Sequence, residues 1–345
     1  MSSPVVSICL PNLNTRPFLP QRMESILAQS LADWELIVCD SYSDDGSWEF
    51  FEKFKADRRV QLHQVPRAGV YAGWNECLRR ATGQYIYIAT SDDTAEAELL
   101  ETLIGALVGN ADAQMASCKC SFIDEAGKQL QSGYEGVRIN GEEIYGDWLR
   151  TNHRRHGASE FVATCVANHV WTTITAVLFR SSLLKETGLF AEDKSPVNDV
   201  DWALRACLCT DTIHVARPLA SLRVHSTQAS QRADFSTTAA LQVRMVENTL
   251  RAFDSKLPAA LRTAAAREKL LWPKRVRAFN ALQLHGTNLF RRPFSLLRGF
   301  RDYPDLTARQ AVHGFRWSRR PAVDAKAYTE SLLREFGLPP ICEQW

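Results

Sequence analysis

Apolar residues in the first two-thirds of the chain come in short, nearly continuous runs. VVSICLP (5–11), WELIVCD (34–40) and QYIYIAT (84–90) each read as a strand buried on both faces. RVQLHQV (59–65) alternates like a further strand. Between these runs the period changes. Leu19, Met23, Ile26 and Leu27 recur at helical spacing, and VYAGWNECLRRA (70–81) and AEAELLETLIGAL (95–107) also read as helices. Gly83 stands where the 70–81 helix would be capped. Strands and helices in alternation predict an α/β fold with a mostly parallel sheet covered on both faces. Ligands bind such sheets beyond the carboxyl ends of the strands. The loops at 11–16, 40–47 and 90–94 therefore open on one edge.

Further along, the polar stretch 130–170, with RTNHRRHG and Trp148, gives no clear pattern. WTTITAVLFRSSLLKETGLF (171–190) returns to strand then helix. SPVNDVDWALRACL (195–208) begins a helix with Asp199 and Asp201 at its mouth, where carboxylates are favoured and N-capping is the simplest role. IHVARPLASLRVHSTQAS (213–230) gives strand and then a polar loop around His225. From 233 the period is helical, so the chain divides into an α/β unit at 1–232 and a helical extension at 233–345. Within the latter, NLFRRPFSLLRGFRDYP (288–304) mixes aromatics, leucines and arginines. Such a helix either packs on its own protein or lies on an anionic membrane surface as a peripheral contact.

Composition narrows the class. With 45% hydrophobic and 23% charged residues over 345 positions, a sizeable core is possible and wholesale disorder is not expected. A net charge of +2, without a basic block or zinc-finger spacing, points away from nucleic acid as a partner. The nine cysteines are scattered; the close pairs Cys118/Cys120 and Cys207/Cys209 lack the two-residue gap of a zinc knuckle, and reduced thiols in a cytoplasmic protein are expected. The N-terminus has no signal-peptide pattern, and no run of about 18 apolar residues suggests a membrane span.

The strand at 84–90 runs into Asp92 and Asp93. Two adjacent carboxylates at a ligand-binding edge are easiest to tolerate around a cation that also holds a polyphosphate, and Mg2+ suits that arrangement. A solvated polar turn is the plainer account of the same residues.

Taken together, the blocks resemble a family-2 glycosyltransferase of the GT-A fold. VSICLPNLNTRPFLPQRMESILAQSLADWELIVCDSYSDDGS resembles the family's start, GVYAGWNECLRRATGQYIYIATSDD its next block, and GLFAEDKSPVNDVDWALRA followed by RVH its acceptor-side blocks. The likeness covers roughly 4–230, in matching order. It implies an inverting enzyme that moves a sugar from a nucleotide-diphospho-sugar donor to a hydroxyl of a glycan or lipid-linked acceptor. Cytoplasmic placement, at the cytosolic face of the inner membrane, and a role in bacterial surface polysaccharide synthesis go with it. By the same resemblance Pro11, Asn14 and Asp40 occupy the nucleoside-binding places. The family's Asp-x-Asp metal motif falls on Thr90, Ser91 and Asp92, with Asp93 following. Mg2+ or Mn2+ would be held by Asp92 and His225, Asp199 would be the general base, and Arg205 and His225 would contact the diphosphate.

The sequence departs from the family at three places. Ser41 stands for a second acid after the second strand, Thr90 for the first acid of the metal motif, and Asn198 for a Glu before Asp199. These keep open a catalytically decayed nucleotide-binding or scaffold protein. A sugar-phosphate nucleotidyltransferase, which shares a related core, would show a Gly-rich basic loop after the first strand, and PNLNTRPF contains no glycine. Trp74 and Trp202 flank the acidic segments and are equally suited to stacking on a ligand or to the core.

Overall fold

The computed structural model describes residues 3–130, 141–167, 171–193, 195–226, 228, 235–284, 301 and 323–345. The N-terminal half alternates strand and helix: β1 (Val6–Asn12), α1 (Leu19–Leu27), β2 (Trp34–Asp40), α2 (Ser47–Phe51), β3 (Val60–Gln64), α3 (Val70–Leu78) and β4 (Tyr85–Ile88). Next come β5 (Thr94–Ala95), α4 (Leu99–Gly109), β6 (Met115–Ile123), α5 (Glu142–Tyr145), β7 (His153–Arg155) and α6 (Gly157–Ala167). The chain continues through β8 (Val177–Arg180), α7 (Leu183–Thr187), α8 (Asn198–Cys207) and β9 (Thr212–Arg223). The last described elements are α9 (Phe235–Ala252), α10 (Ala264–Leu284), α11 (Ala325–Glu335) and β10 (Cys342–Gln344). Most of the basic aromatic stretch 288–304 lies outside the described residues.

All the described strands join one mixed sheet, ordered β10-β7-β9-β6-β8-β4-β1-β2-β3, with β5 paired to β9. The half built from β4, β1, β2 and β3 is parallel, as its apolar runs predict. Beyond β4, β8 runs antiparallel to both β4 and β6, and β9 returns parallel to β6. Strand periodicity sends alternate side chains into two cores. Val6, Ile8, Leu10, Leu36, Val38, Tyr85 and Tyr87 pack on the α1/α4 side. Cys9, Ile37, Cys39, Ile86 and Ile88 pack on the α3/α6/α8 side.

Two helix details differ from the pattern. Leu27 is 40% exposed, and the stripe of α1 is completed instead by Arg22, which is fully buried. Helix α3 stops at Leu78, so Gly83 does not cap it. Gly83 is needed for close approach: a Cβ there would lie 2.5 Å from the Ser7 nitrogen. The extension is not a separate layer, because β10 pairs with β7 in the same sheet and α11 packs on α6.

The stretch 130–170 resisted reading because its strand is polar yet buried. In β7, His153 and Arg155 are buried around Glu160 of α6. Arg155 pairs with Glu160 at 3.2 Å, and Tyr145 and Thr212 also donate to that carboxylate. Arg155 donates from Nε to His153 Nε2 at 3.0 Å and has Nη2 3.2 Å from His214 Nδ1. An arginine can donate only to a ring nitrogen that carries no proton, so both imidazoles are neutral here. Burial, then the Arg155 charge, pushes His153 down to about 4, and the same causes lower His214.

In the unfolded chain His153 binds its proton near pH 6.5, so between there and about 4 the folded state holds fewer protons. Stability supplied by the neutral ring is full above pH 6.5 and falls as the pH drops. Urea unfolding should show a loss from His153 of about 2 kcal/mol between pH 7 and pH 5. The variant His153→Gln should lack that component; an identical pH slope in both proteins would contradict the buried neutral imidazole.

Candidate active site

The two adjacent acids after β4 face opposite ways. Asp93 is 1% exposed. Its Oδ2 accepts from Thr90 Oγ1 at 2.8 Å and Thr173 Oγ1 at 3.0 Å, and its Oδ1 from the Arg223 backbone N–H at 3.0 Å. Burial and the Asp92 charge push its carboxyl up to about 6, while these donors and the Arg22 cation act in the other direction. Arg22 itself lies beneath, with Nη2 3.4 Å from the Tyr87 hydroxyl. Asp93 therefore builds the loop from inside, its carboxylate enclosed by these donors.

Asp92 is turned the other way. Its Oδ2 lies 3.1 Å from His225 Nε2, with about a quarter of the Asp92 side chain exposed. The end of β9 produces that meeting. Arg223 Nε donates to the Asp92 carbonyl at 2.7 Å, and its guanidinium also holds Asp124 O, Glu125 O and Gln21. His225 follows two residues later, its ring 4.7 Å from Phe18 of the loop after β1. Ser91, in the same turn, is buried.

On the neighbouring strands, the loops after β1 and β2 are latched together. Asp40, fully buried, accepts from Asn12 Nδ2 at 2.7 Å and from Ser43 Oγ and N at 2.6 and 2.9 Å. Asn14, with φ of 55°, exchanges bonds with Asp44: its Nδ2 donates to the Asp44 carboxylate and its Oδ1 accepts from the Asp44 N–H. Arg67 donates to the Ser41 carbonyl at 3.0 Å, to the Tyr42 carbonyl, and to Asp44 at 3.1 Å. Asp40 thus shapes the loop, whereas Asn14 and Asp44 lie on its exposed rim. Pro11 and Ser41 carry α3 on top of them. A Cβ added at Gly73 would sit 3.7 Å from Pro11 Cβ and 3.8 Å from Ser41 Oγ.

Helix α3 links this edge to the second acid. Tyr71, in its first turn, donates to Asp199 Oδ1 at 3.1 Å. The Val200 N–H donates to the same oxygen at 2.9 Å. Asp199 is half-buried in the first turn of α8, where the helix dipole favours a carboxylate. The preceding loop is held by amides. Asn75 Nδ2 donates to the Phe190 carbonyl while its Oδ1 accepts from the Phe190 N–H, and Asn198 Nδ2 lies 2.7 Å from Ala191 O, 2.9 Å from Asp193 O and 2.7 Å from Asp193 Oδ1. Asn198 is therefore a donor surrounded by oxygens, a place where a carboxylate would be repelled.

Arg205 points away from the edge. It bonds Asp201 at 2.8 Å and the carbonyls of Thr187 and Leu189, so its guanidinium supports the loop before α8. Trp74 and Trp202 are core residues, the latter fully buried with its indole N–H on Gly188 O. The structure brings Asp92 to His225 and Asp199 to Tyr71 at the same sheet edge; no described hydrogen bond joins the two pairs. Tyr71, Arg22, Arg67, Thr173 and Arg223 are parts that sequence reasoning missed. Each looks like an ordinary core, helix-face or loop residue until tertiary contacts are known.

Asp92 and His225 present a carboxylate oxygen and a ring nitrogen 3.1 Å apart, the donor types a divalent cation takes. Among the described residues no group of three or more His, Cys, Asp or Glu side chains is arranged to hold one. Mg2+ and Mn2+ bound to a diphosphate, however, need only one or two protein ligands, with phosphate oxygens and water completing the shell. A carboxylate and an imidazole side by side fit that requirement.

Residues 7–171 match the family described as glycosyl transferase family 2. The chain is 33% identical over 129 residues to a putative glycosyltransferase, EpsE, of Bacillus subtilis, covering 36% of this chain and 46% of that protein. It is 32% identical over 110 residues to WfgD of Escherichia coli, a UDP-Glc:alpha-D-GlcNAc-diphosphoundecaprenol beta-1,3-glucosyltransferase, covering 32% of this chain and 44% of that one. The chain thus spans less than half the length of these relatives. In fold it is similar to S. aureus TarS 1-349 crystallised with UDP-GlcNAc, with a TM-score of 0.63 and 16% identity, over 96% of this chain and 92% of that one. The fold is that of GT-A glycosyltransferases, and the similarity to glycosyl transferase family 2 spans residues 7–171 of this chain.

Proposed function

We propose that the protein is an inverting glycosyltransferase that moves a sugar from a nucleoside diphosphate to a hydroxyl of a glycan or lipid-linked glycan. The reading rests on one observation above all. Two acidic centres distant in sequence, Asp92 with His225 and Asp199 with Tyr71, reach the same edge of the sheet, and α3 connects that edge to the latched loops after β1 and β2. Uridine is the proposed base, supported by UDP-GlcNAc in the TarS complex and UDP-Glc in the name of WfgD. The diphosphoundecaprenol in the same name supports a lipid-linked acceptor, and a role in bacterial surface polysaccharide synthesis is proposed with it.

In this mechanism the rim formed by Asn14 and Asp44 receives the nucleoside, and Asp92 and His225 face the diphosphate. A divalent cation held by Asp92 and His225 would supply neutralising charge for the departing diphosphate. Asp199 takes the acceptor's proton through Oδ2, the oxygen without a described partner. The acceptor oxygen attacks the anomeric carbon from the face opposite the diphosphate. The new C–O bond forms as the bond to the phosphate oxygen breaks, that electron pair leaves with the diphosphate, and configuration inverts. Arg205 takes no part in the step, since its guanidinium is engaged by Asp201 of its own helix and by the carbonyls of Thr187 and Leu189.

Residues 1–232 form the proposed catalytic unit, with 233–345 an extension anchored by β10 and α11. Among the described residues no helix is long and apolar enough to cross a membrane. Action in the cytoplasm, at the face of the membrane that carries the acceptor, is the placement we propose.

Asp199→Asn should lower kcat by about 10²–10⁴ while calorimetry still detects UDP binding; undiminished transfer would remove Asp199 as the base. Turnover should stop in EDTA and return with Mg2+ or Mn2+. A rate indifferent to chelation would mean that Asp92 and His225 do not work through a cation.

A further inference from the structure

The proposed base has an asymmetric environment. Both described donors to Asp199, the Tyr71 hydroxyl and the Val200 N–H, meet the same oxygen, Oδ1. A carboxylate pinned through one oxygen presents the other in a fixed direction. The Val200 bond comes from the adjacent residue of the same helix, so it cannot by itself tie Asp199 to the rest of the site. Tyr71 can, because it belongs to α3.

Its placement is over-determined. The Tyr71 ring stacks on Phe190 at 6.1 Å and 16°, and meets Trp74 edge-on at 5.1 Å. Phe190 in turn stacks on Trp202 of α8 at 5.1 Å. The aromatic column therefore runs from the helix that carries Tyr71 to the helix that carries Asp199. Two residues further along, the same α3 lies on Pro11 and Ser41 through Gly73. The phenol has one other acceptor in range, Pro196 O at 3.3 Å, on the loop just before α8. With one proton to donate, it favours the shorter, charged partner.

We propose that Tyr71 is a positioning residue for the transfer step: its hydroxyl orients the Asp199 carboxylate, leaving Oδ2 to receive the acceptor's proton. This rests on the reading of Asp199 as the base. Hydrogen bonds to the charged form of an acid stabilise that form. Burial and the Asp199 charge raise the Tyr71 pKa, so the phenol remains a donor throughout the range in which the enzyme works. Nothing in the step consumes the tyrosine proton. The acceptor's proton goes to Asp199 Oδ2, and Tyr71 stays hydrogen-bonded to Oδ1.

The test is Tyr71→Phe, which keeps the ring contacts with Phe190 and Trp74 and deletes only the donor. Wild type, Tyr71→Phe and Asp199→Asn are compared for kcat, KM for the nucleotide sugar, and the pH profile of kcat. For Tyr71→Phe we expect kcat to fall about tenfold or more, consistent with loss of a hydrogen bond to a charged group. The acidic limb should move to higher pH, with KM for the donor unchanged and thermal unfolding within a few degrees of wild type. An unchanged kcat and acidic limb in Tyr71→Phe, with Asp199→Asn inactive, would overturn the positioning role and leave the base assignment standing. Full activity in Asp199→Asn would overturn both. A melt that collapses in Tyr71→Phe would make the hydroxyl a structural bond; the pH limb of the surviving folded fraction then decides, and an unmoved limb counts against the proposal.

Discussion

The site depends on a carboxylate that never faces it. Asp93 is a buried acid, and a buried charge without partners would cost several kcal/mol. Its partners come from three separate parts of the chain: Thr90 in the same turn, Thr173 before β8, and the backbone of Arg223 at the end of β9. Satisfying Asp93 therefore fastens the end of β4 to the end of β9. His225 meets Asp92 as a consequence, because Arg223 also grips the Asp92 carbonyl two residues before the histidine. The repulsion between adjacent acids is relieved by geometry, with one carboxylate directed into a shell of donors and the other toward the ligand edge.

The departures from the family pattern obey the same electrostatics. Thr90 replaces an acid and donates to Asp93, where a third carboxylate would have crowded two others. Asn198 replaces an acid and donates into a ring of oxygens from Ala191 and Asp193. Ser41 lends its carbonyl to Arg67, which braces the loop after β2. At Thr90 and Asn198 the replacement removes a negative charge where the local partners are acceptors that need a donor. The two acids left on the exposed side are the ones to which the chemistry is assigned, Asp92 and Asp199. In this sense the pattern reads as a re-tuned site more readily than as an abandoned one.

How far the sequence reveals this varies with the force involved. Strands β1, β2 and β4 were legible because continuous apolar runs have few other uses, and their carboxyl ends and the loops after them carry Asn14, Asp40 and Asp92 as the strand pattern implies. Strand β7 was not, because its residues are HRR, buried through an ion pair and two neutral rings that no hydropathy pattern registers. Strand β9 carries Pro218 opposite a register shift at Lys119, which disguises one long strand as two pieces. Arg22 looks like the solvent side of α1 but lies beneath the active loop. Asp92 and Asp93 look equivalent in sequence; only the positions of Thr173 and Arg223, 80 and 130 residues away, distinguish their roles. Tyr71 is likewise silent until α8 arrives beside it.

The most direct test is a crystal structure of the protein with UDP and Mn2+. The account predicts Asp92 and His225 together on the diphosphate side, Asp93 still bonded to Thr90, Thr173 and the Arg223 N–H, and Asp199 facing the same cleft. A structure in which Asp93 swings out to take the ion, or in which His225 and Asp92 separate while nucleotide binds elsewhere, would contradict it.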